Sequence, residues 1–293
     1  MEASERAGVI AAVVSSALGG TAAALTRYAI GASDPVTLAA FRFGIAFLLI
    51  LPLALALRSR WPVGRDWLRV AALGVLFFAV LFVIYNVSMS LTTAARGSLA
   101  LSTLPVVTMA VAAMLGRENI TLRKTVGVLI AMGGVAAALA TGLADAPPGA
   151  WRGDLVMAGG TVIMAFYNVW AAPLMARSSR LGFLAAGMGF GAAASTLIAW
   201  QSGGLARTIH FAPGQWAAVL ALGVFGGAFA FYLWVYALER TTPTRVANTM
   251  TVNPIAASLL AAALVDEPLG VNLLVGVVAV GAGIWIASTP GKG

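Results

Sequence analysis

The chain has 293 residues, of which 60% are hydrophobic and 10% charged, where an ordinary soluble domain carries roughly 45–50% and 25%. A water-solvated surface is excluded, and a lipid bilayer is the solvent this composition fits. A formal net charge of +8 would point to nucleic acid in a soluble protein, but the basic residues are scattered through short loops and no nucleic-acid partner is expected. With no cysteine, disulfides, thiolate metal sites and cysteine nucleophiles are excluded as well.

Spans of about 20 apolar residues cross roughly 30 Å of hydrocarbon as helix. Ten candidates stand at about 7–30, 36–57, 68–91, 94–115, 122–142, 153–175, 181–200, 215–238, 243–264 and 269–288. Each is continuously apolar rather than alternating, so the expected fold is an all-α polytopic membrane protein and not a barrel.

The first segment exceeds the ~7–15 residues of a signal core, and its flank of Glu2, Glu5 and Arg6 is not strongly basic, so it is read as a span. Leu18-Gly19-Gly20-Thr21 lies within it, with Thr21 a candidate polar contact. The second opens at Pro35 and holds Arg42, the sole ionisable residue well inside a span. An arginine at mid-membrane costs about 2.5–3.5 kcal/mol on insertion scales. Arg42 therefore either snorkels as an anchor or serves a gating or carboxylate-binding role.

The third span sets Phe78, Phe82, Tyr85 and Met89 in one helical stripe beside Asn86. The fourth carries Pro105 mid-span, with Ser98, Ser102 and Thr103 near it. Proline removes a backbone donor and clashes with the preceding turn, a defect tolerated in lipid only where other groups take over. Glu118 sits in the connection to the fifth span, where a carboxylate can cap the next helix. Gly127 and Gly134 give that fifth helix a smooth packing face.

The sixth span supplies Met164, Tyr167 and Asn168. In the eighth, Phe225, Phe229, Tyr232 and Tyr236 recur at helical spacing around Trp234. The ninth surrounds Pro254 with Asn248, Thr249, Thr251 and Asn253, a polar cluster that points to a wet cavity. Glu267 precedes the tenth span, whose Gly276 and Gly283 repeat the glycine seam of the fifth.

That recurrence extends over half the chain. Shifted by 149 residues, Trp67 to Ala138 lands on Trp216 to Ala287: Thr92 and Thr93 fall on Thr241 and Thr242, Arg96 on Arg245, Pro105 on Pro254 and Glu118 on Glu267. Two units are implied, 1–145 and 146–293, each of five spans. An odd number of spans per unit inverts the second relative to the first, and two inverted copies can exchange conformations around a midplane site.

With the amino terminus cytoplasmic, thirteen Lys and Arg fall in inside segments and only Arg27, Arg96, Arg152 and Arg207 outside. This bias sets both termini in the cytoplasm. Candidate cavity residues are Thr21, Phe78, Phe82, Tyr85, Asn86, Ser102, Met164, Tyr167, Asn168, Tyr232, Trp234, Asn248 and Thr251, with Pro105 and Pro254 as helix kinks. Rings with a few amides suit a small amphipathic solute, although aromatic stripes also pack or mark the interface.

Catalysis needs clustered acid, base, nucleophile or metal ligands. The single histidine, His210, falls in a loop and no span holds two carboxylates, so neither an enzyme, a metal nor a cofactor is expected. The absence of an intramembrane Asp or Glu also predicts downhill or weakly coupled movement.

The duplicated order of Pro105, Glu118, Gly127 and Gly134 with Pro254, Glu267, Gly276 and Gly283, together with Pro35 and Arg42, resembles the drug/metabolite transporter superfamily, specifically its EamA-type ten-helix members. Within it the size and layout look most like the YddG-type exporters. That resemblance implies export of aromatic or other neutral amino acids, or similar small metabolites, by a secondary transporter in a bacterial inner membrane. The chain departs from the family at Leu18-Gly19-Gly20-Thr21, where a first-helix tryptophan is common.

A nucleotide-sugar carrier of the same fold is the alternative substrate class, but phosphates call for several converging cations and only Arg42 lies in a span. A non-transporting membrane scaffold is the alternative from another class. The oligomeric state stays open, a monomer being sufficient for the inverted repeat.

Overall fold

The computed structural model describes residues 3–30, 33–92, 94–140, 148–256 and 271–288, and the regular structure of these residues is helical, with no strand. In chain order the first half has α1 (Ala3–Ile30), α2 (Pro35–Ala56), α3 (Asp66–Leu91), α4 (Ala94–Leu101), α5 (Leu104–Met114) and α6 (Leu122–Ala138). The second has α7 (Trp151–Arg177), α8 (Arg180–Gln201), the one-turn α9 (Gly204–Arg207), α10 (Pro213–Leu238), α11 (Pro243–Asn248) and α12 (Val271–Ser288).

Six of these, α1, α2, α3, α7, α8 and α10, are long and apolar enough to cross a bilayer. They coincide with the predicted spans one to three and six to eight. The predicted fourth span is broken between α4 and α5 at Ser102 and Thr103, so that Pro105 falls in the first turn of a new helix, where its missing N–H costs nothing. Around the second proline, a 3-10 turn at Thr249–Thr251 comes after α11 before helix resumes. Thr93, Glu267 and Lys292 lie outside the described residues, as do the end of the ninth span and the connection to the tenth.

Local chemistry sets the helix starts. Asp34 accepts from the backbone N–H of Val36 and Thr37 at 3.1 and 3.0 Å ahead of Pro35, an N-cap followed by proline at the first helical position. Ser179 caps α8 through Gly182 N–H at 3.1 Å. Thr121 caps α6, in place of the nearby Glu118, which turns to a different helix.

Two helices of the long set are not α-helical throughout. Val75–Leu81 in α3 and Leu222–Phe229 in α10 form π-helix, and the 149-residue shift carries the first onto 224–230, which overlaps the second over six residues. Runs of π-helix this long are rare and concentrate at functional sites. Each packs on a helix of the other half: α8 lies on the π segment of α3, with Gly74 against Gly187, and α2 lies on that of α10, with Gly223 against Ile45.

Other pairings recur in the same exchanged manner. The end of α10 packs on α1 and the end of α3 on α7, while α5 meets α11. Helices α6 and α12 pair with each other, so that the two glycine faces read from the sequence meet. A Cβ built on Gly127 would lie 2.6 Å from Ala287 N, and one on Gly276 would lie 2.7 Å from the Gly134 carbonyl oxygen. The backbones touch directly, as small residues permit in lipid.

Candidate functional site

Helices α1, α2, α3, α4, α7, α10 and the segment after α11 line a cavity of about 60 Å³. That is far below the ~300 Å³ where ligand pockets begin. Among the described residues, the space between these helices is thus smaller than a ligand-sized pocket.

Arg42 stands in the wall, 6% exposed. Its Nη2 donates to the Gly226 carbonyl, in the π segment of α10, at 2.7 Å, and its guanidinium carbon lies 4.6 Å from the Phe82 ring centroid. Its Nε has no hydrogen-bond partner among the described residues, and none of their ion pairs includes it. The snorkelling expected as one alternative does not occur: the side chain turns inward because a cation–π face and a carbonyl are offered there. Gly226 makes that approach possible, since a Cβ on it would lie 2.8 Å from the Ala22 Cβ and 3.3 Å from Arg42 Nη2.

Of the residues singled out from the sequence, Phe82, Tyr85, Met164 and Trp234 also line the cavity. Trp234 is 2% exposed and donates its indole N–H to Asn168 Oδ1 at 2.9 Å. Asn168 thus orients a wall residue from behind. Tyr167 and Phe78 lie one layer out in an aromatic core: Tyr167 stacks on Phe77 at 3.7 Å between centroids, and Phe78 meets Phe43 at 5.0 Å.

The rest of the candidates lie away from the cavity wall. Asn86 donates to the Pro35 carbonyl at 2.8 Å and ties α3 to the start of α2, which answers the cost of a buried amide. Thr21 bonds the Leu18 carbonyl of its own helix at 2.8 Å. Thr251 does the same to Asn248 at 2.6 Å, and Asn248 and Ser102 are buried in the packing around the two breaks.

The eighth-span stripe does not face the cavity as a unit. Phe225 and Phe229 are 54% and 51% exposed, on the outer surface. Tyr232 sits under the Arg180 guanidinium at 5.3 Å, and Tyr236 under Arg240 at 3.6 Å, at the end of the helix. The inward residues of α10 are Phe231 and Trp234 instead. The wider π turn rotates the residues after it, so a stripe counted at α-helical spacing does not keep one face.

Sequence reasoning did not single out Ser15, Gly19 and Met157 as wall residues, nor Phe231 and Met250. Ser15 and Gly19 are four apart and so share one face of α1. A Cβ on Gly19 would come 2.8 Å from Asn253 Nδ2, so the glycine admits an amide to the cavity. Asn253 belongs to the polar run around Pro254 that pointed to a cavity.

Glu118 also differs from expectation. Its Oε2 pairs with Lys124 Nζ at 2.7 Å, and its Oε1 accepts from the Thr244 N–H at 2.9 Å. It caps α11, in the other half of the chain, because the loop folds back over that free helix end. Among the described residues no His, Asp and Glu gather into a possible metal site.

Comparison with known proteins agrees with this architecture. Two uncharacterized transporters of Archaeoglobus fulgidus are each 25% identical to this chain, over 91% of it and 93% of the first and over 87% of it and 88% of the second. The uncharacterized transporter YyaM of Bacillus subtilis is 21% identical over 90% of this chain and 88% of its own. A crystal structure shares the fold over 96% of both chains, with a TM-score of 0.76 and 22% identity. The EamA-like transporter family matches twice, at residues 6–140 and 151–289. A multi-pass helical protein matched by that family along nearly its whole length is a membrane transporter, and the chain belongs to the EamA-like transporter family.

Proposed function

We propose that the chain is a secondary transporter of ten spans, arranged as two inverted five-helix repeats (1–145 and 146–293), that exports neutral or aromatic amino acids by alternating access. Both termini lie in the cytoplasm of a bacterial cell, and the inner membrane is its site. The exchanged helix pairings and the repeat-related π segments support the inversion. The cavity of about 60 Å³ is then an occluded state that widens when either side opens.

One observation carries the substrate class. Arg42 is a buried cation in the cavity wall with an Nε that meets no acceptor among the described residues. A carboxylate supplies the missing acceptor through a charge-assisted hydrogen bond, while the rings of Tyr85, Phe231 and Trp234 receive an apolar side chain. A phosphate-bearing substrate would want several cations, and among the described residues of this wall Arg42 is the one cation.

Counterflow in proteoliposomes loaded with phenylalanine, methionine or threonine tests this. Amino acids should exchange, and the corresponding amides and amines, which lack the carboxylate, should not compete. Arg42→Gln should raise KM about tenfold or more, the loss of a hydrogen bond to a charged group. Arg42→Lys should retain part of the activity, since lysine keeps the charge without the planar fork. No exchange of any amino acid above empty liposomes would end the proposal.

A further inference from the structure

Two ion pairs at opposite ends of the molecule are copies of one another. Near the start of α7, Asp154 takes Arg96 of α4, with Arg96 Nε 3.0 Å from Oδ2, and Thr92 donates to its other oxygen at 2.8 Å. Near the start of α1, Glu5 pairs with Arg245 of α11. The 149-residue shift that carries Arg96 onto Arg245 also carries Glu5 onto Asp154. Both members of the pair are therefore duplicated, although Asp in one copy is Glu in the other.

The two pairs lie on opposite faces. Arg96 is at the start of α4, and Glu118 comes after the end of α5, some twenty residues on and about 30 Å away at helix rise. Glu118 bonds the N–H of Thr244, the neighbour of Arg245, at 2.9 Å. The chain from α4 to α5 thus runs from one pair to the other.

Each pair also marks a tight closure. Beside Asp154, Gly153 packs so closely on the end of α3 that a Cβ would lie 2.7 Å from Thr92 Cβ, and Ser88 Oγ donates to the Gly153 carbonyl at 2.8 Å. Near Glu5, a Cβ on Gly8 would lie 2.9 Å from Arg240 Cβ at the end of α10. A recess of about 350 Å³ opens beside the Arg96–Asp154 pair, a turn of α7 from the cavity residue Met157. Side-chain exposures of 28% and 24% for the first pair, and 13% and 21% for the second, leave both within reach of water.

We propose that Arg96–Asp154 and Arg245–Glu5 are the two gate latches of the transport cycle, the first closing the outer mouth and the second the inner. Inverted copies exchange conformations, so each half-cycle breaks one latch and leaves the other made. Both are made in this conformation. The assignment rests on the alternating-access reading and names the residues that perform it.

The cysteine-free chain allows a direct test. A single Ala230→Cys reporter in the cavity wall is labelled with a membrane-impermeant thiol reagent from either side of oriented vesicles. Asp154→Asn should raise outer labelling about fivefold and lower inner labelling; Glu5→Gln should do the reverse. Fivefold corresponds to ~1 kcal/mol, the scale of a solvent-reached ion pair. Exchanging the charges, Arg96→Asp with Asp154→Arg, should return the labelling to the starting ratio and shows that the altered protein is folded.

Labelling unchanged by both single substitutions, or shifted to the same side by both, overturns the latch assignment, as does a charge exchange that fails to restore the ratio. If amino-acid counterflow persists in those cases, alternating access stands without these latches. A reporter unreachable from both sides, with no counterflow, removes the transport cycle itself.

Discussion

Replacing Trp234 by Phe should destabilise the protein by about 1–2 kcal/mol, chiefly through the atom left behind on Asn168. The indole N–H can only donate, so the atom 2.9 Å away must be the amide oxygen of Asn168. Asn168 is 0% and Trp234 2% exposed, so neither is rescued by bulk water when the partner is lost. An unsatisfied buried acceptor costs about 1–3 kcal/mol, whereas interhelical bonds between membrane helices average about 0.6 kcal/mol with a maximum near 1.7, because the denatured state finds other partners. The lower half of the first range applies, because Asn168 Nδ2 already lacks a partner among the described residues and the amide gains little by rotating.

The measurement is a double-mutant cycle of Trp234→Phe, Asn168→Leu and their combination, read by reversible unfolding in mixed micelles. Each single change orphans one polar group and the double change removes both. The combination should therefore cost less than the sum of the singles by about 1 kcal/mol or more. Strict additivity within about 0.3 kcal/mol would refute the view that this bond, and not ring packing alone, holds the cavity wall.

Gly127→Val should cost at least about 1–3 kcal/mol in the same unfolding assay, since a Cβ would lie 2.6 Å from a backbone nitrogen of α12 that cannot yield; Gly133→Ala, with nothing within 4 Å, should be neutral. Glu118→Ala removes the acceptor for Thr244 N–H and the partner of Lys124, for a loss of about 1 kcal/mol typical of a helix cap, whereas Glu118→Gln, which keeps an acceptor, should recover part of it. Tyr167→Phe should be neutral or stabilising by up to about 1 kcal/mol, because its hydroxyl is buried without a partner among the described residues while the stack on Phe77 is retained; a clear loss of stability would show that the hydroxyl is engaged.

Six of the membrane helices with their approximate limits, the 149-residue repeat and the small-residue faces of the fifth and tenth spans were legible from residues alone; that those two faces meet each other was not. Each legible feature is a property of one segment or of a comparison between two segments: apolar length against bilayer thickness, identity at a fixed offset, small residues at heptad spacing. The position of Pro105 likewise announced a break in the fourth span. The recurring arginine was visible too, but Glu5 and Asp154, its two partners, gained meaning only once the helices carrying them were seen to meet.

The orientation of each helix about its axis was decided by tertiary structure. A soluble helix declares its buried face by polarity, but a helix in lipid is apolar on every side and its stripe says only which residues are together, not which neighbour they meet. The stripe joined Phe225 and Phe229 to Tyr232 and Tyr236 and passed over Phe231; packing against α1 and α2, and the π turns of α10, turned Phe231 and Trp234 inward. Arg42 could have reached for water until Gly226 and Phe82 stood beside it, and Glu118 caps a helix more than a hundred residues away because the fold brings the free N–H of Thr244 within 2.9 Å of it. Contacts between distant segments depend on where six or more helices come to rest together, and that arrangement is a property of the assembled bundle, not of any one span.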